Sequence, residues 1–208
     1  WGKNFIASRM PVRNPGAPEQ TLWQIYASED ATNVTISADP GITGIPAMQF
    51  LLNRGQMSEF YASGPPGEEG DFAISADRPI AVYGYMVGSE NFGSSIGDPA
   101  MVAMAPTEQY LPRYVMLVPS TWINDVAVVT RPTGAQILLD GVAIPDANFN
   151  PVAASGFEVA RVPLADGVHV FDGGMEPFSV IIVGYDEYDS YAYLGGTGTG
   201  KINPNPPA

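Results

Sequence analysis

Gly93-Ser94-Ser95-Ile96-Gly97 has the Gly-x-Ser-x-Gly spacing of a nucleophile elbow, where a sharp turn lifts a serine hydroxyl clear of the backbone. The single histidine, His169, comes later in the chain, the order in which many hydrolases place their base. The surroundings do not suit that chemistry. The apolar run ahead of the motif ends near Val87, and Pro106 cuts short the segment behind it, so the strand stops too early and the helix that follows is too short. His169 lies between Val168 and Val170, which puts it on a strand face with a structural role as the expectation. A hydrolase built on Ser95 and His169 is carried only as an alternative.

Three other patterns carry potential chemistry. The run from Gly195 to Lys201 resembles a phosphate loop, but Ile202 stands where a hydroxyl residue is needed and Pro204 forbids the helix that should follow. It reads as an exit linker. Asp186, Glu187 and Asp189 cluster three carboxylates that could attract calcium, yet without the spacing of an EF-hand, so a solvated hairpin loop and no cofactor are expected. With no cysteine, thiolate metal sites are excluded, and with a single histidine a zinc or redox-metal site is not expected. Tyr83, Tyr85, Tyr185, Tyr188, Tyr191 and Tyr193 recur at alternating spacings, which suits core or cross-strand packing. Tyr188 and Tyr191 flank the acidic loop, and Trp122 sits in the turn-like stretch from Pro119 to Asn124. These three are the candidate ligand-binding residues, because exposed aromatic rings stack on sugars and anchor protein partners.

The elements that must position such residues are strands. Among 208 residues there are 23 Gly and 20 Pro, which suits short strands joined by turns and weakens any helical reading. Asn33 to Ser37 and Asp71 to Ser75 alternate polar with apolar, so Val34 and Ile36 share one face. Pro79 to Val87 and Phe178 to Val183 are continuously apolar, as in central strands covered on both faces. Asp140-Gly141 is a hairpin turn signal. One short helix is expected, with Asp98 as N-cap, Pro99 in the first turn and a stop at Pro106. Leu22 to Pro40 aligns without gaps on Tyr114 to Pro132, and the run at Ile80 to Tyr85 corresponds loosely to Phe178 to Tyr185. An internal duplication follows as an expectation: a first β-sandwich lobe over residues 1–102, a second over 103–197, and a linker over 198–208.

Charge narrows the partners. Nine basic and 22 acidic residues give a net charge of −13, which repels nucleic-acid backbones and anionic bilayers. No apolar run is long enough for membrane insertion. The start at Trp1 and the Pro-rich tail read as marks of a piece attached to further domains.

Several stretches carry a family resemblance. They are Trp1-Gly-Lys-Asn-Phe5, Gly97-Asp-Pro-Ala-Met101 with Pro106-Thr-Glu-Gln-Tyr110, Pro132-Thr-Gly-Ala135 with Leu139-Asp-Gly141, and Gly167-Val-His169, Pro177-Phe178, Gly184-Tyr185 and Ser190-Tyr-Ala-Tyr193 with Gly195-Gly196. Together they resemble the IgGFc-binding protein N-terminal domain family over nearly the whole chain, in a bacterial-type version. Pro132 to Gly141 also resembles the opening of PEGA-type surface β domains. The resemblance implies an extracellular or cell-surface module for binding, adhesion or matrix assembly. It transfers no catalytic residues, and Fc binding does not follow from the family's name. The expectation is therefore an all-β, non-catalytic module that recognises an extracellular protein or glycan, with a ligand-free structural spacer as the other alternative.

Overall fold

Alternation of apolar and polar side chains builds an all-β chain. The computed structural model describes residues 1–199 apart from 15, 17, 18, 66 and 67. Residues 200–208, which hold most of the expected linker and Lys201 of the glycine-rich run, lie outside the described residues.

The first half of the chain makes one seven-stranded sheet from β1 (Gly2–Ala7), β2 (Thr21–Ala27), β3 (Thr32–Ser37), β4 (Gln49–Leu52), β5 (Met57–Ala62), β6 (Phe72–Met86) and β7 (Met101–Ala103). Its strand order is β4-β3-β6-β2-β5, and β1 and β7 pair elsewhere along the 15-residue β6. The second half makes two sheets. A four-stranded one holds β8 (Arg113–Val118), β10 (Leu138–Leu139), β11 (Val142–Ala143) and β14 (Gly167–Asp172) in the order β11-β10-β14-β8. A five-stranded one holds β9 (Asn124–Pro132), β12 (Phe149–Pro151), β13 (Phe157–Leu164), β15 (Ser179–Asp186) and β16 (Asp189–Leu194) in the order β12-β13-β9-β15-β16.

The five-stranded sheet is the middle layer. Val128, Val159, Ile181 and Val183 point to the seven-stranded sheet and join Trp23, Ile25, Phe72, Ile74 and Val82 in one core. Their neighbours Ala127, Val129, Ala160, Val180 and Ile182 point the other way and meet Tyr114, Met116 and Phe171 of the four-stranded sheet. Period-two geometry makes this possible, because successive side chains leave opposite faces of a strand. The continuous apolar run at Phe178–Val183 is thus a strand covered on both faces, and Val34 and Ile36 do share one buried face. Burying each such Val or Ile side chain contributes roughly 1.5–3 kcal/mol.

Other expectations change. The segment after Pro99 is the strand β7, not a helix: Val102 and Met104 are buried while Met101 and Ala103 are exposed, a period of two that a helix cannot produce. Helical geometry among the described residues is confined to 3₁₀ turns at Ser89–Phe92, Thr107–Gln109 and Asp146–Asn148. The run at Pro79–Val87 is central in its sheet but covered on one face only, which leaves Ala81, Tyr83 and Tyr85 half-exposed. The structure does not show the duplication. β2 pairs directly with β6, whereas their supposed counterparts β8 and β15 belong to different sheets.

The Asp140-Gly141 turn is as expected, with φ of 51° and 83° joining β10 to β11. Both central residues have positive φ, as a type I′ hairpin requires.

Candidate functional site

The expected aromatic cluster is partly brought together. Trp122 stands edge-on to Tyr191 with ring centroids 4.8 Å apart, and Tyr191 stacks on Tyr193 at 6.1 Å. Tyr191 donates its hydroxyl proton to Asp125 Oδ1 at 2.5 Å. Burial pushes the Asp125 carboxyl above the usual carboxylate range, and the Tyr191 hydrogen bond partly offsets this. Gly184 is the reason the ring lies flat, since a Cβ there would fall within the Tyr191 ring. Tyr193 is spent on backbone: its hydroxyl accepts from the Leu117 N–H at 3.1 Å and donates to the Leu117 carbonyl at 2.6 Å. Tyr188 stands apart from these rings, 64% exposed at the tip of the β15–β16 hairpin with φ of 52°.

The acidic loop is that same hairpin tip. Asp186 and Asp189 accept hydrogen bonds from the backbone N–H groups of Glu187 and Ser190, at 2.7 and 2.9 Å, so these carboxylates cap their own turn. Among the described residues no group of three or more His, Asp or Glu side chains is arranged to hold a metal ion.

Ser95 lies in a loop after a 3₁₀ turn, and its carbonyl accepts the N–H of Tyr188 at 2.7 Å. His169 faces elsewhere: Nδ1 is 2.7 Å from Asp140 Oδ2 and Nε2 is 2.8 Å from the Ala165 carbonyl. Both imidazole nitrogens are engaged with acceptors on the four-stranded sheet and its loops, and neither is directed at Ser95.

A second aromatic surface includes Tyr83 and Tyr85, which the sequence assigns to core or cross-strand packing. It occupies the uncovered face of the seven-stranded sheet. In the antiparallel register Glu59, Gln24, Tyr83 and Ala103 form one row across β5, β2, β6 and β7. Tyr61, Leu22, Tyr85 and Met101 form the next row, and Met57, Tyr26 and Ala81 the row on the other side. Trp1, Tyr26, Ala81, Tyr83, Tyr85 and Met101 line a groove of about 380 Å³ on this face. Trp1 is 63% and Met101 54% exposed. Tyr26 and Tyr83 meet edge to face with centroids 5.9 Å apart. The hydroxyls of Tyr26 and Tyr85 donate to Gln24 Oε1 at 3.0 and 2.9 Å, and Gln24 Nε2 donates to Glu59 at 2.6 Å. Burial, followed by the nearby Tyr26, Tyr83 and Glu59, raises the pKa of Tyr85 above the usual phenol value. The available sequence signal was the phase of β2 and β6. Tyr26, Tyr83 and Tyr85 share the outward phase of Gln24, while Trp23, Ile25 and Val82 take the inward one.

A larger cavity of about 540 Å³ opens where the outer and central sheets meet, lined by Asp39, Glu68, Asp71, Asn150 and Arg161 among others. Its one lining guanidinium, Arg161, is held by the cavity wall itself. Arg161 donates to both oxygens of Asp71 at 2.7 and 2.5 Å and to the Arg9 carbonyl at 2.7 Å. Burial opposes the charge on Arg161, but Asp71 and Glu69 outweigh it and raise its pKa further. Burial raises the pKa of Glu69 beside it.

A family model described as IgGFc binding protein matches residues 1–184. No curated protein and no solved structure matches the chain.

Proposed function

The chain belongs to the IgGFc-binding protein family, and on that premise we propose that it is a non-catalytic recognition module of a larger extracellular or cell-surface protein, holding a protein or glycan by noncovalent contacts. The family's binding character supports a module that engages a partner. The observation that carries the reading to a location is the uncovered face of β6. This strand is apolar throughout its second half, yet its outward side chains Tyr83 and Tyr85 meet a groove where a covering layer would otherwise lie. Contiguous exposed aromatic surface on a folded domain marks an interaction site. The Tyr26 and Tyr85 rings are held by hydrogen bonds to Gln24, so these two lose little side-chain freedom when a partner docks.

Trp122 and Tyr188 remain a second proposed contact region, favoured by the exposure of Tyr188 at its hairpin tip. The test is a binding array with the purified domain against glycans, mucins and immunoglobulin Fc, with and without calcium. A saturable partner weakened about 30-fold by Tyr83→Ala, the loss typical of a central aromatic anchor, supports the outer-face site. The same loss with Trp122→Ala or Tyr188→Ala moves the site to the hairpin end. A blank across the array from well-folded protein overturns recognition in favour of a structural spacer.

A further inference from the structure

We propose that the outer-face groove takes a cationic side chain, an arginine first of all, from a basic segment of the partner protein. This rests on the reading of that face as the recognition surface and specifies the chemistry it recognises.

The groove gathers four electron-rich rings, those of Trp1, Tyr26, Tyr83 and Tyr85, and none of its six lining side chains is charged. The faces of Trp and Tyr rings attract cations, Trp most strongly. Guanidinium suits such a site better than ammonium, because it is planar, stacks on rings and is more weakly hydrated.

The hydrogen bonding points the same way. Tyr26 and Tyr85 both spend their phenol protons on Gln24, which passes the polarisation on to the Glu59 carboxylate. Each phenol oxygen is left as an acceptor, facing an incoming group that carries five N–H donors and no acceptor. A row of groups ending on a carboxylate disfavours an anionic ligand, and the raised pKa of Tyr85 keeps that phenol neutral.

The wider surface adds to this. Of nine basic residues set against 22 acidic ones, Arg9, Arg13, Arg131 and Arg161 are drawn into buried ion pairs or hydrogen-bond networks. The chain's exterior is therefore strongly anionic and complementary to a basic partner. The fold already uses the same chemistry internally, with the Arg131 guanidinium 3.5 Å from the centre of the Phe149 ring and that of Arg13 5.7 Å from Tyr185.

The experiment is a titration of the intact domain with an acetylated, amidated peptide of alternating Gly and Arg, and with the same peptide carrying citrulline at each Arg. Citrulline keeps the shape and removes the charge. Expected is saturable binding of the arginine peptide that falls roughly tenfold on citrulline substitution, in the range of a partly desolvated cation–π contact. Binding should also weaken with added salt, with Glu59→Gln and with Tyr83→Ala, while Tyr83→Phe, which keeps the ring, retains most of it. Thermal melts of each variant confirm that the fold is intact.

Arginine binding that ignores Tyr83→Ala is general attraction to an acidic surface and overturns the proposal. So does a groove-bound partner from the array whose affinity is unchanged by Glu59→Gln and by salt, although the recognition surface itself then stands. If no probe of any kind binds in a Tyr83-dependent way, it is the recognition surface that fails.

Discussion

Arg161 on the central sheet and Asp71 immediately before β6 of the seven-stranded sheet, 90 positions apart, form a two-pronged ion pair with distances of 2.7 and 2.5 Å, their side chains 12% and 8% exposed. The pair bolts two layers together at one end, and the Arg9 carbonyl takes a further hydrogen bond from the same guanidinium. Removing one partner leaves the other charged, buried and unmatched. Arg161→Met is therefore expected to destabilise the domain by about 3–5 kcal/mol, measured by denaturant unfolding. Arg161→Met combined with Asp71→Leu should recover a large part of that loss. Single and double variants with equal stability would show that the pair does not lock the layers.

The two cores share the central sheet: Val128 and Ile181 serve one, Ala127 and Ile182 the other. Separate lobes over residues 1–102 and 103–197 would unfold separately. The shared layer predicts instead one calorimetric transition, with matching van't Hoff and calorimetric enthalpies. A fragment of residues 1–102 should stay unfolded, because one face of its sheet would have nothing to cover it. Two resolved transitions would sink this expectation.

His169 sets a pH dependence. Both of its ring nitrogens face acceptors, Asp140 Oδ2 and the Ala165 carbonyl, so only the imidazolium satisfies both. Burial works against its charge, but the hydrogen bonds to Asp140 and Ala165 prevail and raise its pKa above the usual value. The stability it contributes is thus fully present below the ordinary histidine pKa and fades as pH rises through the raised one. Asp140 runs in the opposite sense. The Val170 N–H and then His169 lower its pKa, so its contribution is present above the ordinary aspartate value and is lost in acid. Stability against pH should lose its alkaline-side decline in this window in His169→Gln; an unchanged profile would remove the pair from the account.

Tyr193 guards an edge. β8 is the last strand of its sheet, with Val115 and Leu117 65% and 60% exposed. The Tyr193 hydroxyl occupies both the N–H and the carbonyl of Leu117, which would otherwise be open to another strand. Tyr193→Phe should lower stability by about 1 kcal/mol and promote self-association, detected by light scattering. A variant that stays monomeric at high concentration would show that the edge is protected by other means.

Gly184→Ala tests the packing under Trp122. The added methyl would collide with the Tyr191 ring, which lies across the strand pair directly opposite Gly184. Roughly 1–3 kcal/mol of destabilisation is expected, as for overpacking in general, together with a shift in Trp122 fluorescence.

Strand content, the Asp140-Gly141 turn and the doubly covered strand at Phe178–Val183 were legible because each rests on local sequence: alternation, a φ preference or an unbroken apolar run. The layer order was not, because it depends on which sheet each strand joins. That is how β8 and β9 come to part company although their sequences follow β2 and β3. The segment at Met101–Ala103 misled because Asp98-Pro99 and a short Ala/Met stretch mimic a helix start, while pairing with Tyr83 to Tyr85 decides the outcome. Trp122 and Tyr191 stand out in the sequence separately, and their contact follows only from the packing of the loop before β9 onto β16. The outer-face groove was hidden because Pro79–Val87 looks the same whether one face is covered or two.

The central strands that complete the first core, β9, β13 and β15, all follow the outer sheet in the chain. During synthesis or passage through a pore, N-terminus leading, residues 2–103 emerge with every strand of their sheet present and one oily side bare. Its cover is complete only when the segment ending near Asp186 has arrived. Such a chain has a vulnerable interval in its biogenesis, when holding factors or delayed collapse must keep the leading half out of trouble, and that interval lengthens as emergence slows.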